Sequence, residues 1–300
     1  MADTAHVFHC AGTPLVGVLS HPPAAAETAL LVIVGGPQYR IGSHRQFVQL
    51  ARSVAAAGHA VLRFDVRGMG DSGGAMRPFE ALGDDIGAAI DFLFATLPGL
   101  KGVVLWGLCD GASAALMYCH ERRDARVAGL CLLNPWVRSA QTLARTQVKH
   151  YYLQRLTQPG FWRKLLSGGV AWGALSGLLA NLRAARGGDG SRAGGGSNAA
   201  AAQLPFQQQM AAAWRDPLRP ILLLLSGEDY TAKEFVEAIR SDPAWSGAFD
   251  RPGLERHTLA GADHTFSDPA AKRAVERLTS DWLHALDNAR SGIAREATTA

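Results

Sequence analysis

Apolar runs and helical periodicities alternate along most of this chain. Five mostly apolar runs are expected to form strands, at residues 29–34, 61–64, 103–106, 127–133 and 220–225, and the continuous run at 29–34 is typical of a strand buried on both faces of a parallel sheet. Between the first two runs, apolar side chains recur at helical spacing, at Phe47, Leu50, Ala51 and Val54. Residues 255–259 are expected to form the last strand and residues 269–286 the last helix. This order predicts strand–helix–strand crossovers.

The alternation predicts an α/β fold with a mostly parallel, doubly wound sheet of about eight strands. Residues 7–10 and 15–19 predict a hairpin before the first parallel strand. The pattern breaks after residue 135. We therefore expect two core segments, at residues 1–135 and 217–287, with a helical cap insertion between them at residues 136–216. Residues 288–300 are expected to form a disordered tail.

The expected insertion contains two unusual stretches. Residues 187–197 are rich in glycine and are expected to form a mobile loop, because they cannot bury enough apolar surface to become ordered. Residues 165–182 carry no charge and have about the length of a membrane span. Their many Gly and Ser residues favour a buried cap helix, or one that leans on a membrane, over a transmembrane helix.

Composition and charge exclude several classes of protein. The net charge is +4, and the basic residues are scattered without the clustered Lys and Arg that grip nucleic acid. The four cysteines lack Cys-x-x-Cys spacing, which argues against a zinc cluster or a disulfide framework. The first residues form no basic and apolar leader, so we expect a cytoplasmic protein. We expect no metal, no cofactor and no nucleic-acid partner.

The stretch Gly107-Leu108-Cys109-Asp110-Gly111 lies between an apolar strand and a run of good helix formers. A Gly-x-nucleophile-x-Gly turn in this setting has the form of a nucleophile elbow, in which small flanking residues leave the middle side chain exposed. Here the middle side chain is a thiol. A thiolate is a strong nucleophile once a neighbouring base has taken its proton.

Two further strand ends carry the groups that activate a nucleophile. Asp229 follows the strand at residues 220–225, and His264 follows the last strand. Active sites of doubly wound sheets lie at the carboxyl ends of the strands. We expect His264 to exchange the proton of Cys109, and Asp229 to fix the His264 tautomer. Glu228 is adjacent and is an alternative to Asp229.

An oxyanion hole needs two preorganised N–H donors. We expect one from the backbone of Asp110 and the other from the turn after the first long strand. Pro37 has no N–H, so the second donor is Gly36, which we prefer, or Gln38. Arg40 and His44 follow this turn and are candidates for substrate binding, with ordinary surface positions as the alternative.

Ser72 offers a competing nucleophile, because Gly70-Asp71-Ser72-Gly73-Gly74 also has the Gly-x-Ser-x-Gly pattern. It follows a polar loop instead of an apolar strand that runs into a helix. A structural role is therefore expected for Ser72. The other cysteines are expected to lie in the core, as free cysteines usually do.

The elbow, the loop Asp65-Val66-Arg67-Gly68-Met69-Gly70-Asp71-Ser72 and the order nucleophile, acid, histidine resemble the α/β-hydrolases. Residues 35–45 and 106–111 more narrowly resemble the exosortase A system-associated hydrolase 1 family. That resemblance implies a bacterial cytoplasmic hydrolase encoded near exosortase and exopolysaccharide genes, with no defined substrate. The Gly-x-Cys-x-Gly elbow is also similar to that of dienelactone hydrolases.

These observations predict a hydrolase that cleaves a small-molecule ester, thioester or lactone through an acyl-Cys109 intermediate. Two alternatives stay open. One is an acyltransferase with the same triad, and the other is a catalytically silent protein that binds a partner through the hydrolase fold.

Overall fold

The computed structural model describes residues 2–138 and 204–299. The expected glycine-rich loop and the uncharged stretch at 165–182 lie outside the described residues. One compact unit comprises Met1–Val137 and Leu204–Ala300, and a second unit spans Arg138–Gln203. Among the described helices, none combines the length and the hydropathy that crossing a bilayer requires.

The described unit is built on one sheet of eight strands in the order β1-β2-β4-β3-β5-β6-β7-β8. In chain order the strands are β1 Asp3–Cys10, β2 Thr13–Ser20, β3 Thr28–Ile33, β4 Ala60–Phe64, β5 Gly102–Leu108, β6 Val127–Leu133, β7 Ile221–Ser226 and β8 Leu254–Leu259. Strands β1 and β2 pair antiparallel, as does β2 with β4, and every later pairing is parallel. The predicted N-terminal hairpin and the mostly parallel sheet are confirmed.

Helices follow most of the strands and cover both faces of the sheet. The described α-helices are α1 Gln46–Ala56, α2 Gly83–Thr96, α3 Asp110–Arg122, α4 Phe206–Trp214, α5 Tyr230–Ser241 and α6 Pro269–Thr299. Every residue of β3, β4, β5 and β7 is buried. Two apolar clusters lie on opposite faces of the sheet, which explains why β3, β5 and β7 have continuous apolar runs instead of alternation.

The direction of winding reverses beside β3. The chain adds β4 on one side of β3 and then returns to add β5 on the other side. The turns that follow β3 and β5 are therefore neighbours at the carboxyl edge of the sheet, where Ile33 pairs with Gly107. Ligands of open α/β sheets bind at this kind of switch point.

Helix α4 belongs to the compact core, although the sequence analysis assigned residues 204–216 to the insertion. Trp214 is fully buried and packs edge-on against Trp245, with 5.6 Å between the ring centroids. Its indole N–H donates to the carbonyl oxygen of Ala248 at 2.8 Å. The expected boundary at residue 216 is therefore corrected, because the apolar face of this short helix packs against the α/β layers.

The expected disordered tail is also corrected. Helix α6 continues without a break through residues 288–299. Ala294, Arg295, Glu296 and Ala297 are good helix formers, so an established helix extends through them at little cost.

Candidate active site

Cys109 occupies a sharp turn between β5 and α3. Its backbone has φ 59° and ψ −125°, a conformation that costs a non-glycine residue about 1–3 kcal/mol. A Cβ atom added at Gly107 would lie 2.4 Å from the carbonyl carbon of Gly111, so the strand and the helix approach more closely than any larger residue permits. This is the geometry expected of a nucleophile elbow.

The His264 side chain bonds to Asp229. His264 Nδ1 lies 2.9 Å from Asp229 Oδ2. Glu228, the alternative acid, has an exposed side chain whose carboxylate lies 3.9 Å from Lys233 Nζ. Of the two candidates, the geometry pairs Asp229 with the imidazole.

Asp229 is itself held by the start of helix α5. Its carboxylate accepts the N–H groups of Thr231 at 3.2 Å and Ala232 at 3.1 Å, as an N-cap residue does. Burial alone would raise the pKa of Asp229, but the hydrogen bonds from His264, Ala232 and Thr231 outweigh burial and lower it. The acid therefore stays ionised beside the imidazole.

His264 and Cys109 line the same pocket. The hydrogen bond to Asp229 contributes most to raising the pKa of His264 to about 10, nearby Cys109 adds to the rise, and burial acts in the opposite direction. The imidazolium form is thus strongly favoured. The structure therefore bonds His264 to Asp229 and places His264 and Cys109 on the wall of one pocket.

Two residues that the sequence analysis did not identify support the histidine loop. Asn134 Nδ2 donates to the carbonyl oxygen of His264 at 3.1 Å and to Ser226 Oγ at 2.8 Å. Ser226 Oγ in turn donates to the carbonyl oxygen of Asp263 at 2.7 Å. Both are buried polar residues at the ends of apolar strands. A polar residue directly after an apolar run is the sequence feature that could have identified them.

A pocket of about 310 Å³ opens at the thiol. Its walls combine apolar side chains, the glycine-rich turn and the catalytic pair, and are formed by Gly35, Gly36, Pro37, Gln38, Phe47, Leu108, Cys109, Asp110, Trp136 and His264. The candidate catalytic residues therefore face a cavity large enough for a small substrate.

The oxyanion turn differs from the sequence interpretation at Gly36. The Gly36 N–H donates to Asp110 Oδ2 at 2.9 Å and is already engaged. The Gln38 N–H has no acceptor among the residues that the structure describes. The preference for Gly36 is corrected for this structure, and Gln38 becomes the candidate second donor beside the backbone of Asp110.

Arg40 does not line the pocket. Its guanidinium forms ion pairs with Asp65 and with Asp71, and its backbone N–H donates to Asp65 Oδ1 at 2.7 Å. In this structure the two carboxylates engage the guanidinium, so the substrate contact of Arg40 stays a prediction. His44 is exposed, lies near Asp263 and also does not line the pocket.

The competing nucleophile and the remaining cysteines are structural. Ser72 Oγ accepts the Val16 N–H at 2.8 Å and donates to the carbonyl oxygen of Asp65 at 2.6 Å, which fixes the loop to strand β2. The other three cysteines are buried free thiols, Cys10, Cys119 and Cys131. Burial raises the pKa of Cys119 to about 12. Within residues 2–138 and 204–299, the structure has no cluster of side chains suited to hold a metal ion.

Comparison with known proteins agrees with this geometry. Residues 30–277 match the model of the alpha/beta hydrolase family. An esterase from Pyrococcus furiosus superposes with a TM-score of 0.61 at 14% identity, covering 95% of this chain and 91% of its own. A dienelactone hydrolase from Anabaena variabilis superposes with a TM-score of 0.57 at 16% identity, covering 94% and 97%.

A protein from Butyrivibrio proteoclasticus with ferulic acid bound gives a TM-score of 0.60 at 15% identity, covering 93% of this chain and 100% of its own. No curated protein sequence matches the chain significantly. The structural likenesses establish the shared fold, and the family match extends across the elbow, the acid and the histidine. The chain belongs to the alpha/beta hydrolase family.

Proposed function

We propose that this chain hydrolyses an ester, thioester or lactone through an acyl-Cys109 intermediate. The observation that carries the proposal is the hydrogen bond from Asp229 to His264, together with the position of His264 and Cys109 on the wall of one pocket at the strained elbow. In the proposed mechanism Cys109 is the nucleophile after its proton passes to His264, which then acts as the general acid of acyl transfer.

In acylation, the Cys109 sulfur attacks the carbonyl carbon and the carbonyl electron pair moves to oxygen. The N–H groups of Asp110 and Gln38 are the proposed donors to that oxyanion. When the carbonyl re-forms, the bond to the leaving group breaks and His264 transfers its proton to the departing atom. The products of this step are the acyl-enzyme and a free alcohol or thiol; in a lactone they stay joined.

In deacylation, neutral His264 takes a proton from water as the water oxygen attacks the acyl carbon. Collapse of the second tetrahedral intermediate breaks the carbon–sulfur bond. The carboxylic acid leaves and the thiolate–imidazolium pair is restored. Asp229 stays ionised throughout and stabilises the imidazolium.

The pocket favours a small, uncharged acyl group. Phe47, Leu108 and Trp136 supply apolar wall, and among the described lining residues only His264 can become a cation. A relative of this fold is a dienelactone hydrolase and another binds ferulic acid, which is compatible with compact acyl substrates. The link to the exosortase system stays a hypothesis that rests on the resemblance of residues 35–45 and 106–111.

The first test replaces the nucleophile. Cys109→Ala is expected to reduce kcat/KM on p-nitrophenyl and thioester substrates at least about 10³-fold, because no other thiol faces the pocket. Cys119→Ala serves as the matched control and should keep activity. Equal rates for wild type and Cys109→Ala would end the covalent mechanism. A large gain in wild-type turnover on adding an alcohol or amine acceptor would instead identify an acyltransferase.

A further inference from the structure

The carboxylate next to the nucleophile is bound to the turn that follows β3. Asp110 is the first residue of α3, and its Oδ2 accepts the Gly36 N–H at 2.9 Å. The residues are 74 positions apart in the chain, so this bond joins two separate loops of the site. It is a direct link between the nucleophile elbow and the proposed oxyanion turn.

The turn is packed closely against the same carboxylate. A Cβ atom at Gly35 would lie 2.1 Å from Asp110 Oδ1 and 2.5 Å from the Gly111 nitrogen. Only glycine allows this approach, and Asp110 Oδ1 is buried as a result. The Asp110 side chain therefore fills the space between helix α3 and the turn.

The other end of the turn is fastened independently. The Arg40 N–H donates to Asp65 Oδ1 at 2.7 Å, and Arg40 also pairs with Asp71. The Gln38 side-chain oxygen accepts the Ser43 N–H at 3.3 Å. These anchors and Asp110 therefore hold the turn on both sides of Pro37 and Gln38.

We propose that Asp110 is a positioning residue, whose carboxylate fixes the turn at residues 35–38 so that the Gln38 N–H can serve the oxyanion. The effect on catalysis rests on the proposed function. The ordering of the turn is independent of that function, because the bond from Gly36 to Asp110 forms whether or not substrate is present. Asp110 acts through the turn and also supplies its own backbone N–H to the oxyanion.

Hydrogen exchange of the turn tests the structural part without any substrate. In Asp110→Ala, the amide of Gly36 should exchange about tenfold faster or more, since its N–H loses its acceptor. Asp110→Asn keeps an amide oxygen that can accept this N–H and should stay near wild type. Unchanged exchange in Asp110→Ala, or equal acceleration in both variants, would overturn the proposal.

Kinetics test the catalytic part in the same proteins. Asp110→Ala should lower kcat roughly 10- to 100-fold with little change in KM, because a displaced oxyanion donor affects the transition state more than binding. Asp110→Asn should recover most of the rate. A rise of kcat in Asp110→Ala would overturn the proposal. It would mean that the Asp110 carboxylate competes with the oxyanion for the N–H donors of the turn.

Two further measurements separate the possible failures. The rate of Cys109 alkylation by iodoacetamide should stay unchanged in Asp110→Ala, because the bond from His264 to Asp229 is intact. Glu228→Gln removes an exposed carboxylate near the site and should leave turnover and exchange unchanged. If wild-type turnover does not depend on Cys109, the proposed function fails, and hydrogen exchange still decides the role of Asp110. Far-UV circular dichroism confirms that each variant is folded.

Discussion

The imidazole of His264 has two polar neighbours with different effects on its chemistry. Asp229 fixes Nδ1, is ionised and is itself held by two backbone N–H groups, so it stabilises positive charge on the ring. Cys109 lines the same pocket as the ring and is the proposed partner in proton transfer. A pKa of about 10 for His264 means that the ring carries a positive charge at neutral pH.

Asp229→Asn tests the source of this charge. The amide can still cap helix α5, but it cannot stabilise the imidazolium as a carboxylate does. We expect the pKa of His264 to fall from about 10 toward its ordinary value of 6.5, and kcat/KM to fall roughly 10²–10⁴-fold. NMR titration of the ring proton measures the first quantity. A His264 that titrates alike in both proteins would contradict the assignment.

The same shift has a consequence for stability. Since folding raises the pKa of His264, its contribution is fully present below about pH 6.5 and is lost as pH rises through about 10. Wild type should therefore lose stability relative to Asp229→Asn across this interval in urea unfolding. If the difference in unfolding free energy between wild type and Asp229→Asn stayed constant with pH, the charge of His264 would not be the source of that difference.

Ser72→Ala is expected to affect stability and leave the chemistry intact. Removing the hydroxyl breaks bonds to the Val16 N–H and to the carbonyl oxygen of Asp65, which should cost about 1–3 kcal/mol. The elbow nucleophile is untouched, so kcat should stay within a few-fold of wild type. A loss of activity comparable with that of Cys109→Ala, in a protein that remains folded, would make Ser72 the nucleophile.

Site residues fixed by one strand end could be predicted, and those fixed by tertiary contact could not. Cys109, Asp229 and His264 each come within a few residues of the end of a strand, so the parallel sheet brings them to one edge. The role of Arg40 depends on the approach of Asp65 from the end of β4, and nothing in the local sequence reports that approach. The bond from the Gly36 N–H to Asp110 is also a tertiary contact, which the local sequence does not report.

The strand β5 and the helix α3 form the element that places the nucleophile. Gly107→Ala is expected to cost roughly 1–3 kcal/mol or more, because the added methyl group would meet the backbone of Gly111 and force the two elements apart. Gly99→Ala is the matched control, since a Cβ there meets nothing within 4 Å. Equal unfolding free energies for the two variants would show that the close approach is not required.

The elements that were predicted well are those whose burial is uniform. Strands β3, β5 and β7 are enclosed on both faces, and this produces unbroken apolar runs that are visible in the sequence. Helix α4 is short and follows the insertion, so its membership of the core depends on the packing of Trp214. The extension of α6 depends on helix propensity, whereas the sequence analysis expected disorder because the last residues of a domain are commonly poorly ordered.

At the level of the whole unit, one topological feature makes the site. The reversal of winding beside β3 places the turn at residues 35–38 next to the elbow after β5. The strands β7 and β8 then bring the acid and the base to the same edge. The sequence predicts this arrangement from the order of strands and helices, because parallel crossovers leave few alternatives.

The most direct test of the account is the mass of the enzyme during turnover. Wild type mixed with p-nitrophenyl acetate and quenched in acid within milliseconds should carry one acetyl group, on the peptide that contains Cys109. The adduct should form at least as fast as steady-state turnover and be absent from Cys109→Ala. Turnover without any adduct on Cys109, or an acetyl group on Ser72 instead, would contradict the account.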